Sequence, residues 1–143
     1  MDALELLKQD HKTVKGLFKE AEESDKEKQK QVFDRITKEL ETHTHIEESV
    51  FYPAMQKHEE LKDMVLESLE EHKQVKTLLR DMDKLPSDSD EFEPKLKVLM
   101  ENIEHHAEEE EEEKMFPRVR QLVNKAELEQ LGQELEAAKR QKR

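Results

Sequence analysis

The sequence has no cysteine and no tryptophan, and only two glycines, four prolines and one tyrosine among 143 residues. Each shortage excludes something. Without cysteine there is no disulfide framework, no thiolate zinc site, no iron–sulfur cluster and no Cys nucleophile. Two glycines cannot build a glycine-rich phosphate loop, and neither GxGxxG nor a P-loop pattern occurs. No long uncharged apolar run is present, so no transmembrane helix is expected. The opening Met1-Asp2-Ala3-Leu4-Glu5 lacks the basic and apolar regions of a signal peptide, which makes the cytoplasm the expected location.

Acidic residues outnumber basic ones, 37 to 25, for a net charge of −12. Such a chain repels nucleic acid and anionic membranes, so neither is expected as a partner. The sequence points to no particular protein partner. Charged residues at 43% and hydrophobic residues at 33% would permit disorder. The order of the residues argues otherwise.

Apolar residues recur every three or four positions, the period of a helix. The first seam runs Leu4, Leu7, His11, Val14, Phe18, Ala21. The second runs Phe33, Ile36, Leu40, His43, Glu47, Val50, Ala54. The third runs Leu61, Val65, Ser68, His72, Val75, Leu79, Met82. A turn cluster at Pro86-Ser87-Asp88-Ser89-Asp90 precedes the fourth, which runs Phe92, Leu96, Leu99, Ile103, His106, Glu110 and ends near Pro117. Leu128, Leu131, Leu135 and Ala138 mark a fifth amphipathic helix, followed by the basic end Lys139 to Arg143. Short joints near 24–26, 58–60 and 85–90 make successive helices antiparallel. The expected fold is all-α: one domain over residues 1–143, an up-down-up-down four-helix bundle over about 2–123 and a C-terminal helix over about 125–142.

Every bundle seam carries one histidine near its middle: His11, His43, His72 and His106. Counted from the loops, their heights differ by three or four residues, about 5–6 Å at 1.5 Å per residue. Glu47 follows His43 by four residues and Glu110 follows His106 by four, so each pair shares a helix face. A lone histidine on an apolar face is usually a satisfied core residue. Four at one depth, with two carboxylates, suit a dinuclear metal site instead. Imidazole and carboxylate together suit iron, zinc or manganese. Glu110 belongs to the six-glutamate run Glu108–Glu113, most of which reads as a solvated face. His105 adjoins His106 and contends with it, as Glu111 contends with Glu110. Tyr52 reads first as core packing and second as a neighbour of the metals.

Asp10-His11 to Phe18, His43-Thr44-His45-Ile46-Glu47-Glu48 with Phe51-Tyr52-Pro53, Glu71-His72 to Val75, and His105-His106 with Met115-Phe116-Pro117 together resemble the hemerythrin-like HHE cation-binding family over residues 2–123. The resemblance implies a non-haem di-iron centre: two iron ions that an oxo or hydroxo bridge can join, held by histidines and bridging carboxylates. It also implies dioxygen or nitric oxide as the small-molecule ligand, or a role in handling iron. Hemerythrins proper carry a second third-helix histidine four residues after the first. Here that position is Lys76, and water or a carboxylate such as Glu48 would complete the set.

Two other classes compete. A ferritin-like di-iron oxidase or peroxidase would use Glu-x-x-His, a spacing absent from this chain. A metal-free structural or regulatory bundle would keep the histidines as core groups.

Overall fold

Asp2 starts the first helix with a reciprocal cap. Its carboxylate accepts the Glu5 N–H at 2.9 Å, and the Glu5 carboxylate accepts the Asp2 N–H at 3.2 Å. Helix α1 spans Ala3–Glu22, and Asp25 caps α2 (Lys26–Ile46) from its own side chain. The α2 rod continues through a π-helical turn, Glu47–Phe51, into an α-helical turn, Tyr52–Met55. A 3₁₀ turn at Glu59–Leu61 leads into α3 (Lys62–Asp83). The next rod is α4 (Phe92–Glu104), which runs through a π-helical stretch, His105–Met115, into Phe116–Leu122. Helix α5 (Lys125–Lys142) closes the chain. The computed structural model describes residues 1–86 and 88–142. Ser87 of the expected turn cluster and Arg143 of the basic end lie outside the described residues. Among the described residues there is no strand, and no helix is long and apolar enough to cross a membrane.

The four rods form the expected up-down-up-down bundle, with α5 packed on α1 and α2. One boundary differs. The apolar pattern ends the fourth rod near Pro117, but the rod reaches Leu122. Pro117 falls in the first turn of the restarted α-helix, where a missing N–H loses little. The widened turn before it is closed by the Phe116 N–H donating to the Glu111 carbonyl, a span of i to i−5. Pro53 is accommodated in the same way, with the Tyr52 N–H donating to the Glu47 carbonyl.

The apolar core comes in two halves. Leu4, Leu7, Ile46, Phe51, Leu61 and Phe116 belong to one, and Val14, Phe18, Phe33, Ile36, Leu79 and Leu99 to the other. Buried His43, Glu47, His72, His106 and Glu111 are absent from both halves and form a polar slab at mid-bundle. A slab of ionisable groups costs free energy unless its members pair or bind a cation. On α5, Leu128, Leu131 and Leu135 are buried. Each such side chain contributes about 1.5–3 kcal/mol, so α5 is firmly docked.

Candidate metal centre

Each rod of the bundle delivers one histidine to the slab. In all four the Nδ1 side is tied outward to a carboxylate: His11 to Glu112 at 2.6 Å, His43 to Asp10 at 2.9 Å, His72 to Glu48 at 2.7 Å and His106 to Glu71 at 2.7 Å. A carboxylate on Nδ1 fixes the ring's orientation and keeps the proton there, which leaves the Nε2 lone pair free to bind a cation.

Two fully buried carboxylates meet these rings. Glu47 Oε1 lies 3.2 Å from both His43 Nε2 and His72 Nε2, and 3.9 Å from His106 Nε2. Glu111 places Oε1 3.1 Å from His11 Nε2 and Oε2 3.5 Å from His106 Nε2. The result is two nests, His11/His43/Glu47/Glu111 and Glu47/His72/His106, each with its donor atoms within 4.8 Å of one another. Glu47 belongs to both.

The charges are strongly coupled. Burial pushes the His43 imidazole down, but the Glu47 charge and the Asp10 hydrogen bond override it and raise it to about 10. Burial likewise opposes the charge on His106 and His11. The Glu111 charge outweighs it at His106, and hydrogen bonds to Glu111 and Glu112 outweigh it at His11, so both are raised. Burial would lift Glu47, yet the facing His43 charge holds it well below the usual carboxylate range. Protons on these rings occupy the electrostatic role a cation would take.

The donor set fits a metal. His43 Nε2 and both Glu47 oxygens are buried without a hydrogen-bond partner. Orphaned groups of this kind are expensive, and a cation in each nest would satisfy them, His43 Nε2 in the one nest and Glu47 in both. Above the slab a cavity of about 20 Å³ is lined by Val14, Leu40, Val75 and Ile103 together with the four histidines.

His11, His43, Glu47, His72 and His106 are thus brought together as the sequence pattern places them. Glu110 is not. It lies 3.2 Å from Lys114 Nζ and 3.5 Å from His105 Nε2, on the outer side of the rod. Glu111 takes the inner place because the i,i+4 rule assumes α-helical turns. From His105 onward the helix is π, and the face of His106 recurs five residues later. His105 itself is exposed and bonds Glu109 at 2.8 Å. Glu48 stands behind His72, between its Nδ1 and Lys76 Nζ at 3.0 Å, and not among the inner donors.

Tyr52, expected first as core packing and second as a neighbour of the metals, is buried and also reaches the site. Its hydroxyl donates to Glu111 Oε2 at 2.5 Å and lies 3.4 Å from His72 Nε2 and 3.3 Å from His106 Nε2. The phenol therefore stands at the nest that has three donors. The corresponding residue of the fourth rod, Phe116, stacks on the His11 ring with centroids 6.3 Å apart. The signal was local: each aromatic residue directly precedes a proline.

The sequence pattern of the Hemerythrin HHE cation binding domain matches residues 2–119. A Nostoc sp. protein named as a DNA nickase is 29% identical over 140 residues, which is 97% of this chain but 39% of that protein. The chain thus spans well under half of that relative. Uncharacterized proteins of Mycobacterium bovis and Mycobacterium tuberculosis are 29% identical over 139 residues, 96% of this chain and 84% of theirs. The crystal structure of a hemerythrin HHE cation-binding domain-containing protein from Mycobacterium kansasii matches with a TM-score of 0.88 and 30% identity, over 99% of this chain and 87% of that one. By its matched residues, its bundle and its buried His/Glu cluster, the chain belongs to the hemerythrin HHE cation-binding domain family.

Proposed function

We propose that the protein is a non-haem di-iron protein that binds or senses dioxygen or nitric oxide, or handles iron itself. The observation that carries this is the sharing of Glu47 between the two nests, the position a carboxylate bridging two ions would take. His11, His43 and Glu111 would hold one ion with Glu47, and His72 and His106 the other, with the Tyr52 hydroxyl beside it. Bound iron would supply reversible binding of a diatomic ligand and one-electron redox chemistry.

The chain's own residues do the rest. The four outer carboxylates hold the imidazoles with Nε2 inward, so little reorganisation accompanies loading. Val14, Leu40, Val75 and Ile103 wall off the histidines with aliphatic surface. The cavity of about 20 Å³ has room for a molecule about the size of water beside the histidines. Tyr52 keeps a proton close to the three-donor nest. Burial and the Glu111 and Glu47 charges push its hydroxyl well above the ordinary phenol range. The nicking activity named for the Nostoc relative does not extend to this reading. The matched part is 39% of that protein, and a net charge of −12 opposes a phosphate backbone.

The test is metal content per chain, with the ultraviolet-visible spectrum of the same sample before and after anaerobic reduction. Two irons with an oxygen-sensitive near-ultraviolet band are expected. No metal after anaerobic ferrous loading would overturn the proposal.

A further inference from the structure

Helix α5 lies beyond the residues 2–119 that match the family pattern, yet it reaches the metal centre. Lys139, close to its end, sets Nζ against Asp10 Oδ1, while Asp10 Oδ2 accepts the His43 Nδ1–H at 2.9 Å. Among the four carboxylates behind the histidines, Asp10 is the most enclosed. Its side chain is 6% exposed, against 17% for Glu71, 30% for Glu112 and 31% for Glu48. Glu48 has Lys76 at 3.0 Å and Glu71 has His105 at 3.3 Å, and these two and Glu112 are exposed enough to draw on solvent as well. Asp10 depends on Lys139, whose own side chain is 20% exposed. Removing one partner of an enclosed ion pair strands the other charge.

The register of α5 makes this contact specific. Gly132 rests on the backbone of Met1, Asp2 and Ala3, closer than any side chain would allow. From Ala3 to Asp10 and from Gly132 to Lys139 the step is the same seven residues (3 to 10, 132 to 139). Seven residues cover about 10 Å on either helix. Docking at Gly132 therefore delivers Lys139 to Asp10.

We infer that Lys139 is a positioning residue of the metal centre: it holds Asp10, Asp10 holds the His43 ring, and α5 is thereby part of the centre. This rests on the metal-binding reading above. Lys139→Met keeps the apolar stem and removes the charge. Its affinity for ferrous iron, measured anaerobically against a competing chelator, is expected to fall about tenfold, and Lys139→Arg is expected to restore it. A second readout needs no metal. In ¹⁵N-labelled metal-free protein, the His43 Nδ1–H resonance, assigned through His43→Gln, should be protected in the wild type. It should broaden by exchange in Lys139→Met and return in Lys139→Arg. A merely structural contact would lower the melting temperature and leave that resonance in place. An unchanged resonance with unchanged iron affinity in Lys139→Met overturns the inference. Failure of the wild-type chain to bind iron overturns the metal-binding reading instead, and the resonance still decides the Lys139 contact.

Discussion

Glu47 and Glu111 occupy equivalent places on two parallel rods: each precedes a proline by six residues (47 to 53, 111 to 117), and each offers its carbonyl to the bond that widens the helix. Both carboxylates are fully buried in the same slab. They differ in how far they stand from the histidine before them, four residues for Glu47 and five for Glu111 (43 to 47, 106 to 111). The α-helical spacing serves the second rod and the π-helical spacing the fourth.

Glu47 is the donor common to both nests, so its removal should affect both ions. Glu47→Ala is expected to bind fewer than two irons per chain by elemental analysis. Leaving His43 and His106 without the Glu47 charge should also weaken the protonation it favours in the metal-free protein. A Glu47→Ala protein that retains two irons would show that it bridges nothing.

The choice between neighbouring glutamates is equally sharp. Glu111→Ala should lower iron content, because His11 and His106 lose their shared carboxylate. Glu110→Ala should leave iron content unchanged, since its contacts are with the exposed His105 and Lys114. Its effect on stability should stay within about 0.5 kcal/mol. Equal losses in both variants would mean that the fourth rod shifts register when metal binds.

The sequence carried the bundle because each seam is a plain 3–4 repeat, interrupted only where a histidine or carboxylate enters the slab. His11, His43, Glu47, His72 and His106 were legible for that reason, since α-helical spacing holds up to each of them. Glu111 was legible only as a contender with Glu110, because a π-helical stretch changes the residues per turn and leaves no mark on composition. The prolines were its mark: counting back from Pro117 as from Pro53 selects Glu111. Tyr52 was hidden differently. An aromatic residue beside Phe51 and Pro53 satisfies every rule for core packing, and only the closeness of Glu111 reveals the hydroxyl's role. The reach of Lys139 to Asp10 is a contact across 129 residues, which no local pattern encodes.

Tyr52→Phe should separate packing from chemistry. The ring stays, but Glu111 loses a hydroxyl donor in a buried setting. An unpaired buried acceptor costs about 1–3 kcal/mol, to be read from urea unfolding of the metal-free variant. In the loaded protein, the ion at the three-donor nest should be lost first during chelator challenge, leaving about one iron per chain. Biphasic release identical to that of the wild type would count against a place for the phenol at that nest.

Gly132→Ala tests the docking of α5. In an open helix the change would stabilise, as alanine is the better helix former by about 1 kcal/mol. Here a Cβ would run into the Met1 carbonyl oxygen and crowd the Asp2 and Ala3 backbone. Overpacking of this kind costs about 1–3 kcal/mol, so the melting temperature should fall. Gly16→Ala is the control, as nothing stands within 4 Å of a Cβ there. A Gly132→Ala protein more stable than wild type would show that α5 is not clamped against the N-terminus.

The pH dependence should have opposite signs with and without metal. In the metal-free chain His43 is raised to about 10 from 6.5, and His11 and His106 are raised as well. Their stabilisation is complete below about 6.5, where the unfolded histidines are also protonated. It is lost as pH climbs through the folded values. Glu47, Asp10, Glu48, Glu71 and Glu112 are lowered, so their contribution is present above the unfolded values of 4.5 and 3.8 and is lost on acidification. Metal-free protein should therefore be most stable between about pH 4.5 and 6.5, the window these two sets of shifts define. Metal requires the Nε2 protons to leave, so its affinity and the stability it adds should grow with rising pH. Thermal melts from about pH 5 to 10 with and without ferrous iron, under anaerobic conditions, measure both trends. A metal-free melting temperature that rises between about pH 6.5 and 9 would contradict the coupled histidine–carboxylate slab, because those rings would then be neutral in the folded chain.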